Sequence, residues 1–196
     1  MKDGRGNKKT KPLTEEQYRE IITTIRTGGI NFRPNDKIAT ALTLEAALGL
    51  RISDILQLKL SDIKRSGDRY HLDIVEQKTG KSRVFTVPAR HYLYMKDYCD
   101  RNGIEDNEEM FPKLSDRGVH KYLAKVCDYL GDEYKDVSTH SFRKFYATNV
   151  YTQNGYDIVL VQKLLQHSSP AITQRYIGIE SAKVEAAIEN HLTELL

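Results

Sequence analysis

Histidine and arginine recur in this sequence at spacings that could bind an anion. In the segment STHSFRKFYAT, His140 and Arg143 lie three residues apart, so they share one face if the segment is helical. Phe142, Phe145 and Tyr146 then point to other faces and can anchor the helix in a core. Two cationic or hydrogen-bonding groups on one face suit a bound anion, although a solvated helix face has the same pattern.

A second histidine follows an apolar helical pattern. His167 comes after IVLVQKLL, near the predicted helix C-terminus, where the negative end of the helix dipole favours a protonated or donating imidazole. Ser169 and Pro170 predict the start of another helix, with serine as N-cap and proline at the first position. His167 therefore lies between two helices, as a capping or a functional residue. Tyr176 follows nine residues later.

Two further cations are candidates for a site. Arg51 lies in GLRIS at a predicted helix junction, between two apolar residues, and could pair with Asp54. Lys78 lies in QKTGK, which predicts a turn from which its amine reaches outward. Lys81 lies in the same turn and competes with Lys78 for any role. Taken singly, each cation is equally well explained by an ion pair or by a solvated turn.

The elements that would position these residues are mostly helical. Thr14 and Gln17 form a capping-box pattern before the first helix. We predict helices at about 14–26, 36–49, 51–60, 89–101, 115–131, 139–153, 157–166, 170–176 and 180–195. RYHLDIV and RVFTVP alternate around a turn and predict a β-hairpin, to which residues 62–65 could add a strand. The expected fold is mainly α with a small antiparallel β-sheet of two or three strands, an α+β class.

The composition is typical of a soluble globular protein whose charge is unevenly distributed along the chain. The 196 residues are 39% hydrophobic and 29% charged, and no apolar run approaches the roughly 18 residues of a membrane span. Cys99 and Cys127 lack metal or redox spacing, so we expect reduced, structural thiols. The net charge is +3, but the first twelve residues carry five Lys or Arg against one Asp. A nucleic-acid site on the nearly neutral remainder must therefore come from grouped cations.

Taken together, these segments resemble the tyrosine recombinase family, to which the phage integrases belong. The matching segments, within residues 41–178, are ALGLRISDILQLKLSDI, EQKTGKSRVFTVP, THSFRKFYAT and LLQHSSPAITQRYIGI. The resemblance implies a recombinase catalytic-domain fold, Asp54 as a supporting acid, and six catalytic residues: Arg51, Lys78, His140, Arg143, His167 and Tyr176. Three positions depart from the family's usual pattern without removing a catalytic group. Lys144, Gln166 and Leu48 stand where histidine, glycine and threonine are frequent.

The resemblance also implies a reaction. In this family a tyrosine oxygen attacks a DNA phosphodiester, which leaves a 3′-phosphotyrosine and a free 5′-hydroxyl. A phenol with a pKa near 10 is ionised to only about one part in a thousand at pH 7, so Tyr176 needs a base, for which His140 is the candidate. Arg51, Arg143 and His167 would stabilise the phosphate oxygens, and Lys78 would protonate the leaving oxygen. The mechanism needs no metal and no other cofactor.

Double-stranded DNA is the implied partner. Candidate contacts are the cationic residues Lys59, Lys64, Arg65, Lys81, Arg83, Lys121 and Lys144. We expect a monomer without DNA, a homotetramer on synapsed DNA, action in the cytoplasm at the nucleoid, and no membrane association. The sequence does not decide whether accessory proteins take part.

The expected domain organisation has three parts. Residues 1–12 are predicted to be a basic arm or linker, and residues 13–179 the catalytic domain. Residues 180–196 are predicted to be a C-terminal helix that is exchanged between protomers or folded back on its own body. The arm resembles a linker to the N-terminal helical domain that family members normally carry, so an excised catalytic domain or a natural single-domain variant are the two interpretations.

Two other functions fit part of the pattern. A type IB topoisomerase shares the tyrosine, arginines, lysine and histidine, but it relaxes supercoils instead of joining two sites. The HSS segment and the C-terminal tail favour a recombinase. A catalytically inactive DNA-binding relative is the other alternative, and the presence of all six expected catalytic residues argues against it.

Overall fold

The computed structural model describes residues 10–177, apart from the side chain of Arg175. The chain divides into two compact units, with the boundary between Tyr146 and Ala147. The predicted arm up to residue 9 and the predicted helix at 180–195 lie outside the described residues. Within the described part of the chain, no helix is both long enough and apolar enough to cross a membrane.

The first unit begins with the helix that the capping box predicted. Helix α1 covers Glu15–Thr27, and the Thr14 hydroxyl accepts a hydrogen bond from the Gln17 N–H while the Gln17 side chain accepts one from the Thr14 N–H. These two bonds satisfy N–H groups that a helix start leaves without partners. Ile21 and Ile25 of α1 are fully buried and begin the core.

The next helix ends at a sharp corner. Helix α2 covers Asp36–Leu48, and Gly49 follows it in the left-handed conformation with φ of 61°. A Cβ at Gly49 would lie 2.3 Å from the ring of Tyr146, so only glycine fits both the conformation and the space. Leu50 is fully buried beyond the corner and leads into helix α3. The corner thereby presents Arg51, between Leu50 and α3, from a rigid apolar support.

Helix α3 is shorter than predicted. It covers only Ile52–Ile55, and a 3₁₀ turn follows at Leu60–Asp62, whereas the sequence predicted one helix over 51–60. The carbonyl oxygen of Leu58 instead accepts a hydrogen bond from the N–H of Met110 at 2.8 Å. This partner lies far away in sequence, so a local pattern could not reveal it. The apolar residues of this segment are nevertheless buried: Ile52, Ile55, Leu56 and Leu60.

The sheet has three antiparallel strands in the order β1-β2-β3, which confirms the predicted hairpin and the additional strand. Strand β1 covers Ile63–Ser66, β2 covers Arg69–Val75 and β3 covers Ser82–Val87. Ile63 pairs with Leu72, and Leu72 pairs with Phe85, across the face that packs on the core. Side chains alternate between faces along a strand, so the intervening residues form the outer face of the sheet.

Two long helices complete the core of the first unit. Helix α4 covers Ala89–Asn102, and α5 covers Asp116–Leu130 after the N-cap Ser115. Cys99 of α4 and Cys127 of α5 are buried free thiols, as expected for reduced structural cysteines. A 3₁₀ turn at Asp132–Tyr134 then leads towards α6.

Helix α6 covers Thr139–Gln153 and contains the boundary between the units. In the second unit, α7 covers Ile158–Leu165 and is capped by the Asp157 carboxylate, which accepts from the N–H groups of Val159 and Leu160. Helix α8 covers Pro170–Ile177 and packs against α7. The described fold is mainly helical with one small antiparallel sheet, as predicted.

Candidate active site

The first predicted catalytic arginine is held by a buried carboxylate. Arg51 Nη1 donates to Glu76 Oε2 at 2.5 Å, and the Glu76 side chain is fully buried while that of Arg51 is 19% exposed. The sequence had suggested Asp54 as a partner of Arg51, but the structure pairs Arg51 with Glu76. Glu76 follows β2 directly, and the pair therefore ties the corner after α2 to the sheet.

Arg83 binds the other side of the same carboxylate. Its Nη1 lies 3.3 Å from Glu76 Oε1, and its guanidinium donates to the carbonyl oxygens of Leu48 and Gly49 at 3.5 Å. These carbonyls end α2, where a cation is favoured. Arg83 is only 4% exposed. This burial argues against the prediction that Arg83 contacts DNA, because a side chain enclosed by protein partners has no path to a phosphate.

The electrostatic balance keeps Glu76 ionised. Burial by itself would raise the pKa of the Glu76 carboxyl, but the hydrogen bond and charge of Arg51, with Thr79 and Arg143 in support, outweigh burial and lower the pKa. The carboxylate is therefore a fixed negative charge among arginines. It can orient their guanidinium groups throughout the neutral pH range.

The turn that carries Lys78 is anchored at its base. Asp54 Oδ1 accepts a hydrogen bond from the N–H of Gln77 at 3.0 Å, and the Thr79 hydroxyl donates to Glu76 Oε2 at 3.0 Å. These bonds hold the residues on both sides of Lys78. Lys78 and Lys81 are themselves exposed, so either amine can reach outward. The anchoring by Asp54 suits the supporting role expected of this residue.

His140 and Arg143 lie on the first turns of α6. Arg143 is 2% exposed, whereas His140 is exposed to solvent. The atoms around the imidazole still remove part of its hydration, which lowers its pKa, and the charges of Arg143, His120, Lys78 and Arg51 lower it further. His140 is therefore neutral at pH 7 and able to accept a proton. Arg143, Lys78 and Arg51 therefore lie near enough to His140 for their charges to act on its pKa.

A buried carboxyl that the sequence analysis missed lies beside Arg143. Glu45 of α2 is 1% exposed. Burial raises its pKa well above the usual range, and the nearby charge of Arg143 and the N–H of Ile52 offset this effect only partly. The Glu45 carboxyl therefore holds its proton to a higher pH than an exposed glutamate does.

These residues form an electropositive cluster, which we call the arginine cluster: Arg51, Arg83, Arg143, Glu45 and Glu76. Three guanidinium groups lie among two carboxyl groups, so positive charge is in excess in the cluster even if both carboxyl groups are ionised. A buried charge excess of this kind favours an anionic ligand, and planar guanidinium groups match phosphate oxygens.

The second unit contains the other two predicted catalytic residues. His167 Nδ1 lies 3.0 Å from the hydroxyl oxygen of Thr173, with donor and acceptor set by the tautomer. The imidazole meets the ring of Tyr176 edge to face, with ring centroids 5.1 Å apart at 77°. The predicted corner between α7 and α8 therefore brings His167 and Tyr176 together. Tyr176 itself is half-buried.

The residue before His167 adopts an unusual backbone conformation. Gln166 ends α7 with φ of 55°, in the left-handed region that non-glycine residues seldom adopt. Glycine, which is frequent here in the family, has no such cost. The main chain then folds back, and the N–H of His167 donates to the carbonyl oxygen of Gln162 at 3.1 Å. Gln166 therefore carries the strain of turning His167 into place.

The other predicted DNA contacts differ in their exposure. Lys64, Arg65 and Lys121 are exposed, Lys59 is half-buried, and the half-buried Lys144 donates to the carbonyl oxygen of Thr10. Lys64 pairs across the sheet with His71, and Arg69 lies two residues before His71 on the same outer face. Arg69 is thus an exposed cation on the same face as Lys64, and the sequence analysis did not identify it as a candidate DNA contact.

The missed carboxylates had a signal in the sequence. Leu72 and Ile74 occupy inward positions of β2, and Glu76 is the next residue in that alternation. Likewise, Glu45 lies seven residues after the buried Ile38 and three after the buried Leu42, on one face of α2. An ionisable residue at an inward position requires a buried partner, and this requirement would have pointed to the arginines.

Comparison with known proteins identifies the family. The model of the phage integrase family matches residues 11–183. The probable integrase/recombinase YoeC of Bacillus subtilis is 34% identical over 148 residues, which cover 70% of this chain and 75% of YoeC. The tyrosine recombinase XerA of Pyrococcus furiosus is 29% identical over 188 residues, which cover 91% of this chain and 61% of XerA.

Solved structures show the same fold. The XerH recombinase in a post-cleavage complex with difH DNA matches with a TM-score of 0.67 and 22% identity, over 95% of this chain and 54% of XerH. The Tn1549 transposon integrase with transposon right end DNA matches with a TM-score of 0.66 and 17% identity, over 98% of this chain and 69% of that integrase chain. The chain thus spans about half to three quarters of the length of these relatives. It belongs to the phage integrase family of tyrosine recombinases.

Proposed function

We propose that this chain is the catalytic domain of a site-specific recombinase that cleaves and rejoins DNA through a 3′-phosphotyrosine intermediate. The observation that carries the proposal is the arginine cluster, whose excess positive charge lies beside His140. Arg143 is buried and Arg51 is partly exposed on a rigid support, and both guanidinium groups suit the non-bridging oxygens of a phosphodiester. His167 and Tyr176, which meet in the second unit, supply the hydrogen-bond donor and the nucleophile.

The proposed cleavage step balances as a transesterification. The phenolic oxygen of Tyr176 forms a bond to phosphorus, its proton goes to the neutral imidazole of His140, and the bond from phosphorus to the 5′-oxygen breaks. Lys78 gives a proton to that leaving oxygen. Arg51, Arg143 and His167 stabilise the negative charge that grows on the non-bridging oxygens. Attack by a second 5′-hydroxyl reverses the step and joins a new partner strand.

Double-stranded DNA is the proposed substrate. The exposed Lys64, Arg65, Arg69, Lys81 and Lys121 and the half-buried Lys59 would contact phosphates. We propose a monomer without DNA and a homotetramer on two synapsed sites, with residues 180–196 passing between protomers, and action in the cytoplasm at the nucleoid. The XerH and Tn1549 integrase structures, which are complexes with DNA, support the choice of substrate.

A covalent trapping assay tests this proposal. Duplexes that the chain selects from a random-sequence pool are nicked near the bound site, so that the cleaved strand diffuses away and the phosphotyrosine adduct persists. The wild-type chain is expected to form the adduct, and Tyr176→Phe is expected to form none. Tyr156→Phe, at an exposed tyrosine of the same unit, is the matched control. An adduct that persists in Tyr176→Phe contradicts the assignment of the nucleophile.

A joining assay identifies the reaction class. We expect the chain to join two selected sites, because family members exchange strands between partners. Relaxation of a supercoiled plasmid without any joining would instead indicate topoisomerase activity and would contradict the proposed function.

A further inference from the structure

Glu76 connects three groups that belong to different parts of the candidate site. Its side chain is fully buried just after β2. Oε2 accepts from Arg51 Nη1 at 2.5 Å and from the Thr79 hydroxyl at 3.0 Å, and Oε1 lies 3.3 Å from Arg83 Nη1. One carboxylate oxygen is thus shared by the arginine at the α2–α3 corner and by the turn that carries Lys78.

We propose that Glu76 is a positioning residue that sets the place of Arg51 and of the Lys78 turn relative to each other. The inference rests on the proposed function and deepens it. Because Arg51 and Thr79 bind the same oxygen, a shift of either group disturbs the other. Arg51, which would bind the phosphate, and Lys78, which would protonate the leaving oxygen, would therefore be positioned together.

The geometry leaves Arg51 able to act on a ligand. Glu76 engages one nitrogen of a guanidinium that has five N–H donors in a planar fork. Among the described residues, Glu76 is the one hydrogen-bond partner of this guanidinium, so the rest of the fork can meet phosphate oxygens. A carboxylate that fixes one edge of the fork reduces the freedom lost when the other edge binds.

Loss of the Glu76 charge and loss of the Glu76 anchor have opposite expected effects on function, so a variant can distinguish a positioning role from a purely electrostatic one. Removing the negative charge of Glu76 makes the cluster more positive, which favours phosphate binding. Removing the anchor lets Arg51 and the Lys78 turn move, which slows the chemical step. We therefore expect Glu76→Gln to bind DNA at least as tightly as the wild type. Its single-turnover cleavage should be slower by about a hundredfold, the effect typical of one misplaced transition-state donor.

A neighbouring variant isolates the link to the lysine turn. Thr79→Val removes only the hydroxyl that donates to Glu76, and we expect at least about tenfold slower cleavage from poorer proton donation by Lys78. A substrate with sulfur in place of the bridging 5′-oxygen has a leaving group that departs without a proton. This substrate should restore cleavage in Thr79→Val, as in Lys78→Ala. It should restore Glu76→Gln only in part, because the defect at Arg51 remains.

The test measures dissociation constants and single-turnover rates on both substrates, with thermal unfolding to establish the folded fraction. Glu16→Gln, an exposed glutamate of α1, is the matched control and should behave as wild type. Slow cleavage with unchanged DNA affinity, together with sulfur rescue of Thr79→Val, supports the inference. A folded Glu76→Gln variant that cleaves at the wild-type rate overturns it, and so does loss of cleavage only in proportion to loss of folded protein.

Failure of Glu76→Gln to fold and failure of the wild-type chain to form an adduct have different consequences. If Glu76→Gln does not fold, Thr79→Val decides the question, since a wild-type rate on the oxygen substrate overturns the inference and a slow rate with sulfur rescue supports it. If the wild-type chain forms no covalent adduct, the proposed function fails. An adduct that is lost in Tyr176→Phe but unchanged in both Glu76→Gln and Thr79→Val refutes the positioning role alone.

Discussion

The rings of His167 and Tyr176 meet edge to face, with their centroids 5.1 Å apart. The two residues lie nine positions apart in sequence and are joined by the turn between α7 and α8. The hydrogen-bonding distance of 3.0 Å between His167 Nδ1 and the Thr173 hydroxyl fixes the orientation of the imidazole. The second unit therefore prepares the position of a histidine next to the proposed nucleophile through contacts of its own.

We predict different losses for two changes at this corner. His167→Ala removes the proposed donor to the phosphate and should slow single-turnover cleavage by about 10²–10³-fold. Thr173→Val keeps the shape of the side chain but removes the hydroxyl that orients the imidazole, so a smaller loss is expected. Cleavage of a selected nicked duplex measures both rates. Equal losses in two folded variants would show that Thr173 acts on more than His167.

The lowered pKa of His140 predicts the acid limit of cleavage. A base must be neutral, and burial together with the charges of Arg143, His120, Lys78 and Arg51 keeps the pKa of His140 below 6.5. The cleavage rate should fall as the pH drops, with a midpoint below pH 6.5, and this acid limb should disappear in His140→Gln.

A variant near His140 provides the control for this pH profile. His120→Asn removes one of the neighbouring charges that lower the pKa of His140, so the midpoint of the acid limb should move upward, towards 6.5. His120 contacts Asp116 and Thr139 and is not one of the proposed catalytic residues. A midpoint above 6.5 in the wild type contradicts the assignment of His140.

Substitutions at two glycines that share one backbone conformation distinguish the cost of backbone strain from the cost of steric overlap. Gly49 and Gly67 have φ of 61° and 63°, but a Cβ at Gly49 would overlap the Tyr146 ring, whereas a Cβ at Gly67 would meet nothing within 4 Å. Gly67→Ala should lower the free energy of unfolding by about 1–2 kcal/mol. Gly49→Ala should cost about 1–3 kcal/mol more, from overpacking. Chemical denaturation measures both, and equal costs would contradict the proposed packing of Tyr146 on Gly49.

Arg83 should behave as a structural residue. Arg83→Lys cannot reproduce a fork that reaches Glu76 and two carbonyl oxygens, so we expect a loss of about 1.5–3 kcal/mol in the free energy of unfolding. The slope of DNA affinity against salt should stay unchanged. Lys64→Gln is the comparison: it should keep its stability within about 0.5 kcal/mol and reduce the salt slope by about one. An Arg83→Lys variant that keeps its stability but has a reduced salt slope would instead indicate that Arg83 contacts DNA.

The raised pKa of Glu45 predicts a pH-dependent stability. In the folded chain the carboxyl keeps its proton well above the ordinary value of 4.5, so its contribution to stability is complete below pH 4.5 and is lost as pH rises towards the folded pKa. Glu45→Gln keeps the neutral shape and removes this loss. Its thermal unfolding temperature should exceed that of the wild type at pH 8, with the difference shrinking as pH falls to 4.5. A lower temperature at pH 8 would show an ionised Glu45.

Much of the fold could be predicted because its signals are local. The capping pair Thr14 and Gln17, the alternation of β2 and β3 and the serine–proline start of α8 each depend on neighbours within a few residues. These signals located the helices and strands to within one or two residues in most cases. The identities of the proposed catalytic residues also came from sequence, through the order of short motifs.

The partners of buried charges were decided only by tertiary structure. Arg51 binds Glu76, which lies 25 residues away, in preference to the nearby Asp54. Arg83, an apparent DNA contact, is enclosed by the end of α2 and by Glu76. Beyond the early end of helix α3, the carbonyl oxygen of Leu58 binds the N–H of Met110. In each case the deciding contact joins segments that are distant in sequence, and the desolvation of a charge or carbonyl depends on which segments pack around it.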